Sequence, residues 1–246
     1  MGGATVTETR PAFYALRPGG WRDYVSLLHP PYTIWHLSYV VVGGCLAPAV
    51  SWSRLGLTVL AFALAMGIGA HALDELHGHP LRTGIPDRVL VGLAAASVAA
   101  ACAIGIAVAI GFSLWLLPLV ALGAFLVTAY NLELGGGRLH TDLVFARAWG
   151  AFPVVTGYVA SAGTIRAEAL LAAGWATSLS LAQRRLSSHA RRVRRTAAEV
   201  SGEMTLSDGT VEPLTREALL VAPEAALRAL MWSTTLLAAA LALLRL

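Results

Sequence analysis

Long apolar runs constrain the fold of this chain more than any motif does. Seven stretches are mostly apolar and have near-spanning length: 33–51, 55–77, 88–110, 113–132, 143–163, 167–183 and 221–244. A helix needs ~20 such residues to cross a bilayer. Hydrophobic residues make up 57% of the 246 positions and charged residues only 13%, too few polar groups to cover a soluble core. The sequence therefore predicts an all-α integral membrane protein with about seven transmembrane helices.

Polar segments between the runs divide the chain into four predicted parts. Residues 1–31 form an N-terminal segment, 32–195 a helical core, 196–220 a connecting segment and 221–246 a last transmembrane helix. The connecting segment contains Gly and Pro, and it is too short to bury a core of its own. We expect it to be a turn-bearing excursion above the membrane.

The arginine distribution predicts the orientation. With the N-terminus inside, thirteen arginines at or beyond the ends of the runs fall on the cytosolic side and three on the opposite side, as the positive-inside rule requires. All 18 basic residues are arginine, which indicates a GC-rich genome and a bacterial inner membrane. We expect a multi-pass cell-membrane protein in contact with membrane lipids. Nucleic-acid binding is not expected, because the arginine run 184–195 abuts an apolar run and lacks interleaved aromatic residues.

The first candidate site lies at the end of the second apolar run. His71, Asp74 and Glu75 share one helical face, and ionisable groups at this depth are costly unless they serve a cavity or a partner. Asp74 and Glu75 are candidate ligands of a divalent cation above a diphosphate, with Arg82 on the phosphate oxygens. The structural alternative is a helix end solvated at the interface, with His71 hydrogen-bonded inside the bundle.

The second candidate site is the stretch 129–158, which runs through a Gly-rich loop into the fifth apolar run. Three successive glycines let the backbone approach a ligand closely. The polar residues proposed to face a substrate are Tyr130, Asn131, Arg138, His140 and Arg147. Arg147 needs an anionic partner inside the fifth run, or alternatively snorkels to the interface. Gly150, Pro153 and Gly157 predict a bent helix that packs closely on a neighbour.

The third candidate site is the basic stretch 180–195, which extends the sixth helix beyond the membrane. Arg184 and Arg185 are candidates to close over a diphosphate. The structural alternative is a topology anchor that is attracted to anionic lipid.

Together these stretches resemble the UbiA superfamily of intramembrane prenyltransferases, and its menaquinone-type branch most of all. Residues 22–44 are similar to the opening of that family, a polar helix that leads into the first span. Residues 130–158 are similar in their tyrosine, their basic loop residue and their glycine–proline spacing. The resemblance covers about residues 1–195.

Both Asp-rich motifs of the family are altered in this chain. The first motif reads N-D-x-x-D-x-x-x-D in typical members, and only Asp74 of its three aspartates is present here. The second motif would fall near Gln183, where arginines follow and no acid is found. The usual nine spans are shortened to seven.

The resemblance implies an enzyme that transfers a prenyl group from a polyprenyl diphosphate at the cytosolic membrane face. It implies a helical cup holding the prenyl chain, Mg²⁺ at Asp74 and Glu75, and Tyr130 near the allylic cation or the acceptor. The diphosphate would contact three arginines: Arg82, Arg138 and Arg184. The replacement of acids by arginines implies either a reduced need for metal or a substrate without a diphosphate.

Three alternatives remain open from the sequence. The first is protonation-initiated isoprenoid cyclisation or isomerisation, with Asp74 as the acid and His71 orienting it. The second is a non-catalytic lipid-binding or partner subunit that keeps the same shell. The third is a histidine metal site formed by His36, His71, His77 and His140.

Overall fold

The computed structural model describes residues 10–246, which form a helical bundle with one β-hairpin. The first nine residues of the expected N-terminal segment lie outside this range. The helices are α1 Trp21–Leu27, α2 Pro30–Leu46, α3 Trp52–Leu76, α4 Asp87–Gly111, α5 Leu116–Asn131, α6 Asp142–Ala162, α7 Ala167–Arg195 and α8 Arg216–Leu244. The hairpin pairs β1 (Glu203–Thr205) with β2 (Val211–Pro213) in antiparallel register.

Each predicted apolar run coincides with one of the helices α2–α8. Four of them, α3, α4, α6 and α8, are long and apolar enough to cross a membrane, and α5 is apolar but shorter. The all-α architecture of membrane type is thereby confirmed, while the crossing of all seven stays a prediction. The helix α7 continues to Arg195, as predicted for the basic stretch 180–195, whereas α8 already begins at Arg216, within the expected connecting segment 196–220.

Proline and threonine set where several helices begin. Pro30 occupies the first position of α2, where its missing N–H costs nothing, and Pro86 immediately precedes α4. The side-chain oxygens of Thr141 and Thr215 each accept from the amide three residues further on, which caps α6 and α8. At its far end α6 stops at Gly163, whose left-handed backbone (φ 71°) suits glycine.

Two of the long helices contain π-helical turns, at 63–70 in α3 and at 147–151 in α6. In α6 the cause is visible, because Pro153 has no N–H to donate to the carbonyl of Trp149. The Nδ1 atom of His36 on α2 lies 2.8 Å from this carbonyl oxygen and takes the place of the missing donor. A helix irregularity in α6 thus fixes a buried histidine of α2.

The backbones of α2 and α6 approach each other so closely that only glycine fits. A Cβ atom on Gly43 would collide with the carbonyl of Val154, and one on Gly157 would collide with the carbonyl of Val40. A Cβ atom on Gly150 would likewise collide with the backbone of α7. The predicted close packing at Gly150 and Gly157 is therefore confirmed, and it makes α2 the centre of the bundle.

Consecutive long helices run in opposite directions, so the arginine-rich end of α7 lies beside the beginnings of α2, α6 and α8. We call this the basic end of the bundle. Residues 10–16 lie across it, where Arg195 donates to the Pro11 carbonyl (3.1 Å) and the Leu16 amide donates to Ser26 Oγ (2.9 Å). The polar side chains predicted to be functional lie at this end.

Candidate functional site

An apolar cavity lies among α3, α4, α5 and α6. Near the end opposite the basic end it is lined by Val108 and Leu116, and towards the basic end by Met66, Val127 and Trp149. Along α5 alone, the rise of ~1.5 Å per residue places its first and last lining side chains roughly 16 Å apart. The lining is almost entirely apolar, with Thr58 and Thr156 as the hydroxyl-bearing exceptions.

Tyr130, at the end of α5, forms the boundary between this cavity and the polar groups. Its ring lies 5.0 Å from that of Trp149 and stacks on His140 at 4.4 Å. Met66 and Ala70 of α3 belong to the same packed cluster. The end of α3 and the stretch that follows α5 therefore converge. The Tyr130 hydroxyl is buried and has no hydrogen-bond partner within residues 10–246.

His140 and Arg184 connect the Gly-rich loop to α7. The guanidinium of Arg184 donates to Asp142 (3.1 Å) and lies 3.2 Å from His140 Nε2. Because arginine only donates, Nε2 must accept, and the proton therefore lies on Nδ1, which faces the Tyr130 carbonyl at 3.4 Å. This network holds the stacked face of His140 against Tyr130.

On the α3 side, His71 continues a row of polar rings that starts in the N-terminal segment. The Tyr14 hydroxyl lies 2.9 Å from Nδ1 of His29, and the His29 ring stacks on that of His71 at 4.1 Å. Burial and the neighbouring His71 hold the pKa of His29 well below its usual value of 6.5. His29 is consequently neutral at physiological pH.

Asp74 is a half-buried acid that follows His71 by one helical turn in α3. Its carboxylate interacts electrostatically with His71, Tyr130 and Arg195. Among residues 10–246 it forms no hydrogen bond and no ion pair. It is the acid of the first candidate site that remains available to a ligand.

Glu75, by contrast, stabilises the turn that follows α3. Its side chain is buried (1% exposed), and its two oxygens accept from the amides of Leu81 (2.9 Å) and Thr83 (2.8 Å) and from the Thr83 hydroxyl. A carboxylate engaged in this way has little capacity left for a cation. No three His, Cys, Asp or Glu side chains in the described part of the chain are grouped to hold a metal ion.

These donors do not fit the paired Mg²⁺ site that the family resemblance implies. Asp74 and Glu75 are sequence neighbours, but one faces the cluster and the other faces its own turn. Magnesium binding accordingly stays a prediction.

Several residues predicted from the sequence lie outside the cluster. Four arginines have exposed side chains: Arg82, Arg138, Arg147 and Arg185. The Asn131 amide donates back to the Val127 carbonyl within α5 at 2.7 Å. The structure brings together the other predicted residues, which we call the polar cluster: His71, Asp74, Tyr130, His140 and Arg184.

Sequence reasoning missed the inward face of α7. Arg191 and Arg195 follow Arg184 at helical spacing, so they lie on the same face of α7, and they interact electrostatically with Tyr14 of the N-terminal segment. Gln183 is 2% exposed, its Nε2 faces His36 Nε2 at 3.3 Å, and its Oε1 has no hydrogen-bond partner within residues 10–246. A helical projection of 183–195 would have separated these residues from exposed Arg185.

No protein-family model, curated protein or solved structure matches this chain.

Proposed function

We propose that this chain is a UbiA-type intramembrane enzyme that acts on an isoprenoid lipid, most simply by prenyl transfer at the cytosolic membrane face. The observation that carries this proposal is the continuity between an apolar cavity and a polar cluster. Trp149 lines the cavity, and Tyr130, which contacts it, belongs to the cluster. This arrangement suits a ligand with a long apolar chain and a polar head.

The proposed orientation places the basic end in the cytosol, with all seven helices α2–α8 crossing the bilayer. The arginine distribution supports this orientation. The polar head of the lipid then lies at the level of the membrane interface. The chain lies among α3–α6, where burying it stabilises the complex by about 25 cal/mol per Å² of apolar surface.

In prenyl transfer the bond between C1 of the prenyl chain and the diphosphate oxygen breaks, and the electron pair leaves with the diphosphate. The allylic cation that remains is stabilised by the faces of Tyr130 and Trp149 through cation–π attraction. Arg184 stabilises the departing negative charge. The acceptor then attacks C1, and Asp74 takes up the proton that the acceptor releases.

A second candidate, isoprenoid cyclisation or isomerisation started by protonation, is favoured by the surroundings of Asp74. His71 lies one turn before it, with Nδ1 facing the Gly67 carbonyl at 3.1 Å, so the proton of the neutral ring is on Nδ1. Since Glu75 is engaged elsewhere, Asp74 stands alone as an acid. In this reaction Asp74 gives its proton to a double bond and later recovers one from the carbocation.

Turnover measurements with two aspartate variants, one in α3 and one at the start of α4, test the two candidate reactions. We expect Asp74→Asn to lose at least about 100-fold in turnover of a polyprenyl diphosphate, as expected for loss of a general acid or base. The control, Asp87→Asn, alters an acid that is 71% exposed near the same loop and should keep wild-type turnover. Diphosphate release supports transfer, and turnover of an isoprenoid without diphosphate release supports the protonation reaction.

Two further arms complete the test. Diphosphate release that continues in EDTA shows that arginines suffice to stabilise the leaving diphosphate. Diphosphate release that is abolished by EDTA and restored by Mg²⁺ supports the predicted metal. Normal cellular function of Asp74→Asn, together with isoprenoid lipid in the purified protein, would contradict catalysis and leave a lipid-binding subunit.

A further inference from the structure

A second, smaller pocket lies between the N-terminal segment and the last turns of α7. We call it the arginine–tyrosine pocket, and its polar lining residues are Tyr14, Tyr32, Ser187, Arg191, Arg194, Arg195 and Glu224. None of these residues lines the apolar cavity. The pocket is therefore a separate feature of the basic end.

Two of its cations lack a carboxylate partner within the described part of the chain. Arg191 and Arg195 are four residues apart on one helix face, where like charges destabilise each other. Within residues 10–246 the Arg191 guanidinium hydrogen-bonds only to Ser188 Oγ (3.3 Å), and Arg195 donates one N–H to the Pro11 carbonyl. Burial, and after it the nearby Arg191, holds the pKa of Arg195 below its usual range.

Arg194, the third arginine of the lining, differs from these two because it has a carboxylate partner. Arg194 forms two hydrogen bonds with Glu224, at 2.5 and 2.9 Å, and Arg228 lies 3.6 Å from the same carboxylate. Glu224 is thus neutralised by its own partners and opposes an incoming anion little. The acids Asp74 and Glu75 act on Arg195 from further away and form no ion pair with it.

The tyrosine hydroxyls add uncharged polar groups, of which that of Tyr14 already lies 2.9 Å from His29 Nδ1. Burial raises the pKa of Tyr14 well above its usual value, so its hydroxyl stays protonated. The Tyr32 hydroxyl has no hydrogen-bond partner among residues 10–246. Guanidinium forks and hydroxyl donors around one small space match the oxygens of a phosphate group.

We propose that the arginine–tyrosine pocket binds a phosphate group, carried either by a lipid head group or by a soluble phosphate compound. The site goes beyond the proposed isoprenoid chemistry, because it needs neither the apolar cavity nor Asp74. Arg191 and Arg195 bind the phosphate oxygens, and Tyr32 donates a further hydrogen bond. Binding would also hold residues 10–16 across the basic end, since Arg195 already contacts Pro11.

Calorimetric titration of the purified full chain in dodecyl maltoside with inorganic phosphate tests the proposal. We expect Arg191→Gln and Arg195→Gln each to weaken binding about tenfold or more, and Tyr32→Phe to weaken it severalfold. The matched controls, Arg185→Gln and Arg192→Gln, remove exposed charges from the same helix and should change affinity less than about twofold. Thermal unfolding without phosphate verifies that each variant is folded.

Nanodiscs distinguish the two sources of the phosphate. If the natural ligand is a lipid head group, phosphatidic acid in phosphatidylcholine nanodiscs should weaken phosphate binding to the wild type. If the ligand is soluble, phosphate should bind equally with and without phosphatidic acid. Equal losses in all four arginine variants would mean a nonspecific basic surface and would overturn the proposal. If Arg184→Gln were the only variant to lose phosphate affinity, the phosphate would bind at the polar cluster instead, and this result would also overturn the proposal.

Discussion

Glu75 offers the sharpest test of how the end of α3 is built. Its carboxylate holds the backbone of the turn that follows, through hydrogen bonds from the Leu81 and Thr83 amides and the Thr83 hydroxyl. Replacing it with alanine leaves two amides without an acceptor. A hydrogen bond to a charged group contributes ~1.5–3 kcal/mol.

Local opening of the turn should become easier by about this amount. Since ~1.4 kcal/mol corresponds to a factor of ten, hydrogen exchange at the Leu81 and Thr83 amides should accelerate about 10- to 100-fold in Glu75→Ala. Hydrogen exchange read by mass spectrometry over peptides that cover 77–86 measures this directly. Glu75→Gln keeps one carbonyl oxygen and should show an intermediate rate.

The neighbouring acid is the matched control. Asp74→Ala should leave exchange over 77–86 within about twofold of wild type, because the Asp74 side chain makes no hydrogen bond to the turn within the described residues, and its backbone carbonyl, which accepts from His77, is kept. Unchanged exchange in Glu75→Ala, or equal acceleration in both variants, would refute the structural role of Glu75. Glu75 would then be free to be the metal ligand that the sequence predicted.

Three further predictions concern stability. Gly157→Ala should destabilise the fold by about 1–3 kcal/mol through overpacking, measured by thermal unfolding in detergent, whereas Gly92→Ala, which has open space around it, should be neutral or slightly stabilising. Glu224→Gln leaves Arg194 half-buried without its ion pair and should cost about 3 kcal/mol in the same assay, and an unchanged midpoint would contradict this. Because burial lowers the pKa of His29 below 6.5, its contribution to stability is complete above pH 6.5 and is lost as the pH falls towards the lower folded-state value. His29→Asn should therefore flatten the loss of stability between pH 6.5 and 5, and an unchanged slope would count against a buried neutral ring.

The helices of this protein were predictable because lipid-facing surfaces leave a strong signal in the sequence. The runs at 55–77 and 88–110 fall within a few residues of α3 and α4. The short strands around Asp208 and Gly209 were missed, although an Asp-Gly pair between alternating residues is a hairpin signal. The signal was weak because the strands are only three residues long.

The candidate site was predictable only in part, because composition and spacing do not show where a side chain points. His71, Asp74 and Tyr130 could be named from depth and helical face. Glu75 has the same spacing, but its role depends on a turn whose backbone amides return to it, which no pattern in the sequence reveals. The role of His36 likewise depends on a carbonyl that a proline in another helix leaves unpaired.

Photo-crosslinking with a prenyl diphosphate that carries a benzophenone at its far end tests the central claim most directly. The account predicts crosslinks to residues lining the apolar cavity, such as Val120 and Leu116, and their loss in Ala124→Trp, which fills the cavity. Leu122→Trp, on the exposed side of the same helix, should keep them. Crosslinks spread over the outer faces of the bundle and unaffected by Ala124→Trp would contradict an isoprenoid site within α3–α6.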